Sequence, residues 1–478
     1  MFSKPLFISS TSATPAYTID QSIRFNDDDS AILTASQTGA GDTRKKNTFS
    51  VWVKRCNLTS LMYIGAYRYD ATNYQYYSFD SSDRVEFTDV SGGSVIGKLV
   101  TTQVFRDTSA WYNLTFVWDS ANAISSERMK IYVNGQRVTT LTTATYPSVN
   151  TDSGGAGRAS STMRIGTYDA TGNYLDGYLT DIVYIDNSAL DPSSFGETND
   201  NGIWIPKDVS GLTFGTRGFY IDGRDSGDLG DDESGNGNDF SVSGLAAHDQ
   251  VSDSPTNSFS VMNPLANYYV QHTLKNGNLE ELTSTNGSYY SYSINNIGMT
   301  SGKWYVEVLF SGSSAAQMLT GISDRESQAG AHYLGSQSYE YSYYNYNGKS
   351  INGSTQSTYG NTYTQNDIIG IALDLDNNKL YFSKNGTWQN SGDPTSGSTG
   401  TGAISITAVG STENGFYYVG AGDYSSGSAT TYIWNFGQEG TFAGNITAGG
   451  NSDGNGIGNF KYSVPSGYLA LCTKNLGS

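Results

Sequence analysis

Residues 368–388 read IIGIALDLDNNKLYFSKNGTW. Ile369, Ile371, Leu373 and Leu375 recur at every second position, the period of a strand that buries one face. Asp376, Asn377 and Asn378 supply a turn, Leu380 and Phe382 resume the alternation, and Asn385-Gly386 tolerates the positive φ of a tight hairpin. Two antiparallel strands and a second turn are therefore predicted. The same pattern occurs earlier: a strand at 114–118, a polar connection at 119–128, a strand at 129–133 and a turn at Asn134-Gly135. One device used twice points to two sandwiches.

Composition extends this to the whole chain. A length of 478 residues suits two or three units. With 56 Gly, 36 Tyr and only 15% charged residues, the chain reads as all-β, its loops built from Ser, Thr, Asn and Gly. No long stretch carries a helical period. The expected fold is two antiparallel jelly-roll-type β-sandwiches joined by an acidic Gly/Asp-rich bridge.

The net charge of −18 repels phosphate backbones and argues against nucleic-acid binding over a broad surface. It suits a soluble particle component, or one that holds cations. The two cysteines, Cys56 and Cys472, form no disulfide framework, which fits folding in a reducing cytoplasm. The opening residues lack the apolar core of a signal peptide, and no run is long enough for membrane insertion. Release by lysis is the simplest route out of the producing cell. Residues 1–19 read as an N-terminal docking arm, in which Phe2, Leu6, Phe7 and Ile8 would insert into a neighbouring subunit; a frayed terminus is the alternative.

From 20 to 206, short apolar runs alternate with polar turns at sandwich spacing. SIRFNDDDSAILTAS, FSVWVKR, WYNLTFVWD, MKIYVNGQRV and the closing YLDGYLTDIVYID resemble, in that order, laminin-G-like and concanavalin A-like lectin sandwiches. The resemblance implies sugar binding, in some members through a rim calcium. Candidate ligands for such an ion are Asp27, Asp28 and Asp29, or Asp169 and Asn173. A solvated acidic turn is the other interpretation. Trp52, Trp111 and Trp118 lie inside apolar strands and are expected in the core.

Residues 207–264 form the acidic bridge, where Asp222, Asp225, Asp228, Asp231, Asp232, Glu233 and Asp239 face a single Arg224. Asp225, Asp228, Asp231, Asp232 and Asp239 are candidate calcium ligands, although their spacing departs from the EF-hand loop. GFYID at 218–222 has the character of an added strand.

Residues 265–443 carry NGNLEEL, SGKWYVEVLF, MLTGISD, the 368–388 hairpin and TTYIWNFGQ, which together resemble SPRY domains. That resemblance implies a non-catalytic recognition sandwich, contacting partners through loops at one edge and needing no cofactor. Within it, 336–363 places Tyr339, Tyr341, Tyr343, Tyr344 and Tyr346 among Ser, Asn and Gly, a composition suited to contact surfaces and to sugar faces. Two similar patches hold Tyr69 and Tyr74 (within 63–77) and Tyr289 and Tyr290 (within 289–292). The same alternation also describes a packed strand. The tail, 444–478, ends in an apolar run expected to pack back on a sandwich, with Cys472 as buried filler.

His248, His272 and His332 lie in no nucleophile, zinc or phosphate motif, so no active site is expected. Two recognition sandwiches, an acidic bridge and tyrosine-rich loops resemble virion appendage proteins of tailed phages, especially marine ones. The resemblance implies a tail-fibre or receptor-binding protein on the virion surface, attached to other virion proteins by its arm, homotrimeric as fibres often are, and binding host polysaccharide without chemistry. A purely structural capsid or tail decoration protein and a polysaccharide-degrading tailspike enzyme are the alternatives.

Overall fold

The 368–388 stretch forms the hairpin its alternation predicts. Ile368–Asp374 pairs with Lys379–Lys384 from Ile369↔Lys384 to Asp374↔Lys379, and Ile369, Ile371, Leu373, Leu380 and Phe382 all enter one core. Asn385 and Gly386 take φ of 48° and 78°, and the chain returns as Thr387–Trp388. The earlier copy behaves alike: Leu114, Phe116 and Trp118 face Val133, Ile131 and Met129, followed by Asn134 and Gly135 at 48° and 74°.

The computed structural model describes residues 17–37, 39, 41, 43–266, 272–283, 291–312, 317–325, 332–425 and 430–477. Within them the chain is built of antiparallel sheets, with one short parallel pairing of Leu469–Ala470 against Lys303–Phe310. No helix among the described residues is long and apolar enough to cross a membrane.

The first sandwich has two sheets. Its back sheet runs Gln136–Arg137, Met129–Val133, Trp111–Asp119, Lys46–Arg55, Gly177–Asp186, Ser22–Phe25 and Gln250–Val251, with Phe219–Ile221 also on Gly177–Asp186. Its front sheet runs Leu141–Thr145, Ser94–Val104, Arg84–Ser91, Asn73–Phe79, Met62–Asp70, Thr162–Ile165, Ile32–Ser36 and Ser241–Ser243. Alternate residues of both sheets meet in one core, including Phe49, Val51, Tyr67, Tyr77, Phe116 and Trp118. Each such large apolar side chain contributes about 1.5–3 kcal/mol.

The acidic segment belongs to this sandwich. Phe219–Ile221, from GFYID, and Gln250–Val251 extend the back sheet, while Ser241–Ser243 extends the front.

The second sandwich pairs a sheet centred on Lys303–Phe310 and Ile368–Asp374 with another centred on Gln317–Ser323 and Tyr418–Ser425. The tail packs on the outside of the first of these, where Tyr468, Ala470 and Cys472 meet Phe259, Tyr305 and Tyr381.

The outer face of the first sandwich's back sheet is covered from two sides. Val183, Ile185 and Tyr220 pack under Phe195, Val209 and Phe214. At the other end, Arg24, Lys54 and Tyr178 are fully buried by the connection to the second sandwich and by its first hairpin. Lys54 Nζ reaches Asp253 Oδ2 at 2.7 Å, and Trp111 Nε1 donates to Asp253 Oδ1 at 2.9 Å. Tyr178 OH donates to the Gly277 carbonyl at 2.7 Å, and Asn278 Nδ2 to the Cys56 carbonyl at 3.2 Å. Trp52 and Trp118 are buried as expected, whereas Trp111 is half-buried at this junction. The front sheet's outer face is the one these contacts leave alone.

Candidate functional site

The front sheet alternates. Tyr67 and Tyr77 point into the core, so their neighbours Arg68 and Tyr76 point out. The register sets Arg68 opposite Tyr74 and also opposite Thr162, and sets Ala66 between Tyr76 and Arg164. Tyr63, Tyr74, Tyr76, Arg68 and Arg164 thus share one half-buried patch. Tyr168, from the loop after Thr162–Ile165, closes over it. Its ring centroid lies 5.3 Å from Tyr63, 5.1 Å from Tyr74 and 6.1 Å from Tyr76, with the Arg68 guanidinium 5.4 Å from its centre.

The rim is polar. Glu86 accepts from Tyr76 OH at 2.5 Å, Thr88 Oγ1 at 2.8 Å and Lys98 Nζ at 2.6 Å. Burial, with the neighbouring Tyr168, pushes the Tyr63 phenol up to about 12, and burial with Glu86 raises Tyr76. Both phenols therefore stay protonated donors at neutral pH. Burial and the charge of Arg68 lower the Arg164 guanidinium's pKa. Such a surface offers flat apolar ring faces edged by hydroxyl and guanidinium donors, which is what a pyranose presents the complement of: C–H faces and hydroxyls.

Of the tyrosines expected to bind ligand, Tyr74 lies in this patch. Tyr69, 42% exposed, stands beside it in sequence but carries the Arg158 guanidinium 3.7 Å from its ring centre. The other patch is a correction. Tyr341 and Tyr343 point into the core of the second sandwich, and Tyr343 is 0% exposed, with its hydroxyl donating to the Asn361 carbonyl. Tyr344, on the opposite side of Glu340–Tyr344, is buried against Leu319, Ile351 and Tyr418. Tyr339 is partly buried against the core, and Tyr346, at 70% exposure, alone projects outward. Both faces of this strand are covered, so its alternation leaves none for a ligand. Tyr289 and Tyr290, and the arm residues Phe2, Leu6, Phe7 and Ile8, lie outside the described residues.

In the acidic loop the carboxylates are turned onto their own backbone. Asp232 is buried and spends both oxygens on the chain itself: Oδ1 accepts from the Tyr220 and Ser234 amides, and Oδ2 from the Asn238 amide and Ser234 Oγ. Asp225, Asp228 and Asp239 accept from the amides of Gly227, Gly230 and Asp232. These are turn-forming bonds that turn carboxylates towards their own backbone. Asp231 is exposed, its pKa raised by desolvation and then by the charges of Asp239, Asp228 and Asp225. Of the other candidates, Asp28 pairs with Lys275 at 2.7 Å, Asp29 accepts from Asn26, and Asp169 accepts from Thr171. Among the described residues no group of three or more His, Cys, Asp or Glu is placed to hold a metal.

Sequence reasoning missed Tyr76, Tyr168, Arg68 and Arg164 as one constellation. The usable signal was the alternation of Tyr74 and Tyr76 against Gln75 and Tyr77; the other half arrives from a strand almost a hundred residues away.

Known proteins agree with two binding-type sandwiches in one chain. Residues 26–194 match the family model of the concanavalin A-like lectin/glucanases superfamily, and residues 302–415 that of the SPRY domain. Among solved structures, the SPRY domain of human HERC1 is similar at 18% identity over 36% of this chain and 96% of that one, with a TM-score of 0.28. A human SPRY domain gives 16% identity over 32% and 91%, TM-score 0.25. Stonustoxin gives 17% identity over 37% of this chain and 27% of its own, TM-score 0.27. No curated protein matches the chain. Lectin-like and SPRY sandwiches fit a carbohydrate- or protein-binding role.

Proposed function

We propose that the protein is a non-catalytic carbohydrate-binding protein whose first sandwich holds a host glycan on its front sheet. The observation that supports this best is the convergence of Tyr63, Tyr74, Tyr76 and Tyr168, all half-buried, on the outer face of the front sheet. Shallow ring faces hold one sugar weakly, and repeated copies raise avidity. The resemblance to phage appendage proteins supplies the setting: a virion surface protein of tail-fibre type, homotrimeric, attached to other virion proteins through residues 1–19. The SPRY sandwich then serves as a rigid partner module. Incubating the full chain with host surface polysaccharide tests this: mobility in affinity electrophoresis falls while polysaccharide chain length stays constant. Unchanged mobility would remove the binding role, and shortened chains would make the protein a depolymerase.

A further inference from the structure

The tyrosine patch carries more positive charge than its surroundings explain. In a chain of net charge −18, its face gathers Arg68, Arg164 and Lys98. Lys98 is matched by Glu86. The two arginines are not matched: among the described residues neither has an ion pair, and Arg68 Nε is buried without a hydrogen-bond partner. Asp169 is near enough to act on Arg164 through its charge, and its Oδ1 already accepts from Thr171.

Their placement is specific. Arg164 pairs in register with Ala66, and Arg68 stands two residues further along that strand on the same face. Such diagonal neighbours have Cα atoms about 7–8 Å apart, a span two long side chains close over one small anion. Two guanidinium groups side by side repel, and each presents a planar fork that matches a carboxylate. An anion between them removes the repulsion and adds charged acceptors to a guanidinium whose side-chain partner is the Tyr168 phenol. The rings of Tyr63, Tyr74 and Tyr168 stand beside it, where the sugar carrying that anion would lie flat.

We infer that the glycan held by this face is acidic, its sugar carboxylate taken by Arg68 and Arg164 while the ring packs on the tyrosines. This rests on reading the face as a carbohydrate site. A carboxylate is favoured over a bare negative surface because two forks, unlike a diffuse basic patch, select a planar anion at one position.

The test uses the full chain on an array of oligosaccharides containing glucuronic, galacturonic or sialic acid, each printed beside its carboxyl-reduced counterpart, with sulfated neutral oligosaccharides on the same array. Wild-type protein retains at least one acidic member about tenfold more tightly than its reduced partner, the loss expected when a charge-assisted hydrogen bond is removed. The preference weakens with added salt. Arg164→Gln and Arg68→Gln abolish the preference with melting temperatures unchanged, and Arg164→Lys, which keeps the charge without the fork, retains only part of it. Equal retention of acidic and reduced members would overturn the inference and leave carbohydrate binding standing, as would retention of sulfated sugars alone. Retention of no sugar, acidic or neutral, would overturn both. The wild-type comparison needs no variant to fold.

Discussion

Lys54 and Asp253 form a fully buried ion pair, Nζ to Oδ2 2.7 Å, between the back sheet of the first sandwich and the connection into the second. Their remaining valences are met: Lys54 also donates to the Phe259 carbonyl at 2.9 Å and to Ser258 Oγ at 3.1 Å, and Asp253 accepts from Trp111. A buried pair is costly to assemble and costlier to halve, because the surviving charge has no water. Asp253→Asn leaves the Lys54 ammonium uncompensated and should destabilise the fold by about 3–5 kcal/mol. Denaturant unfolding measures it. A loss below about 1 kcal/mol would mean that the junction is held by packing alone.

Buried carboxyls set a pH dependence, three of them in the first sandwich. Burial, reinforced by Asp27, pushes Asp176 up to about 8, and burial pushes Asp89 and Asp181 each up to about 7. Asp176 lies at the junction, accepting from the Gly277 amide, and Asp181 sits at a bulge with φ 43°, accepting from Tyr220 OH. Unfolded aspartates titrate near about 3.9. Above that pH the unfolded chain has released protons that the folded chain keeps, so stability is full below it and declines as pH rises through about 7 to 8. Melting temperature should therefore fall between about pH 5 and about pH 8. Asp176→Asn should flatten that slope; a melting temperature that climbs over the range would contradict the assignment.

Tyr343 and Tyr346 separate packing from display. Tyr343→Ala opens a cavity beside Tyr359, Tyr363 and Phe382 and should cost about 3–5 kcal/mol. Tyr346→Ala, on a side chain 70% exposed, should change stability by less than about 0.5 kcal/mol. Thermal melts of both variants decide it, and similar values would return the 336–363 tyrosines to the surface.

The acidic loop should be indifferent to chelation. Its carboxylates are occupied by the amides of Gly227, Gly230, Ser234 and Asn238. A bound ion would stabilise the folded state by mass action, so the melting temperature with excess EDTA should equal that with added calcium. A rise with calcium would restore a metal site.

The sheets were legible where a strand has one buried face. Ile369, Ile371 and Leu373 write the period of the hairpin in plain view, and both Asn-Gly turns announce themselves. Glu340–Tyr344 misleads for the opposite reason: a second hydrophobic cluster covers its outer side, so a buried strand has the Ser- and Tyr-rich composition of a binding loop. The candidate site was half legible. Tyr74 and Tyr76 are local, but Arg164 and Tyr168 reach them only through the pairing of Thr162–Ile165 with Met62–Asp70, a long-range register that no local spacing encodes. The acidic run, equally, shows its charge in the sequence and hides that Asp232 is turned inward onto the Tyr220 amide.

The most direct test locates binding on the front sheet. Calorimetric titration of a retained glycan into wild-type protein, Tyr74→Ala, Tyr168→Ala and Tyr346→Ala should show affinity falling about tenfold or more in the first two variants, as for truncation of an aromatic anchor, and unchanged in the third. Undiminished affinity in Tyr74→Ala and Tyr168→Ala, or a loss confined to Tyr346→Ala, would contradict it.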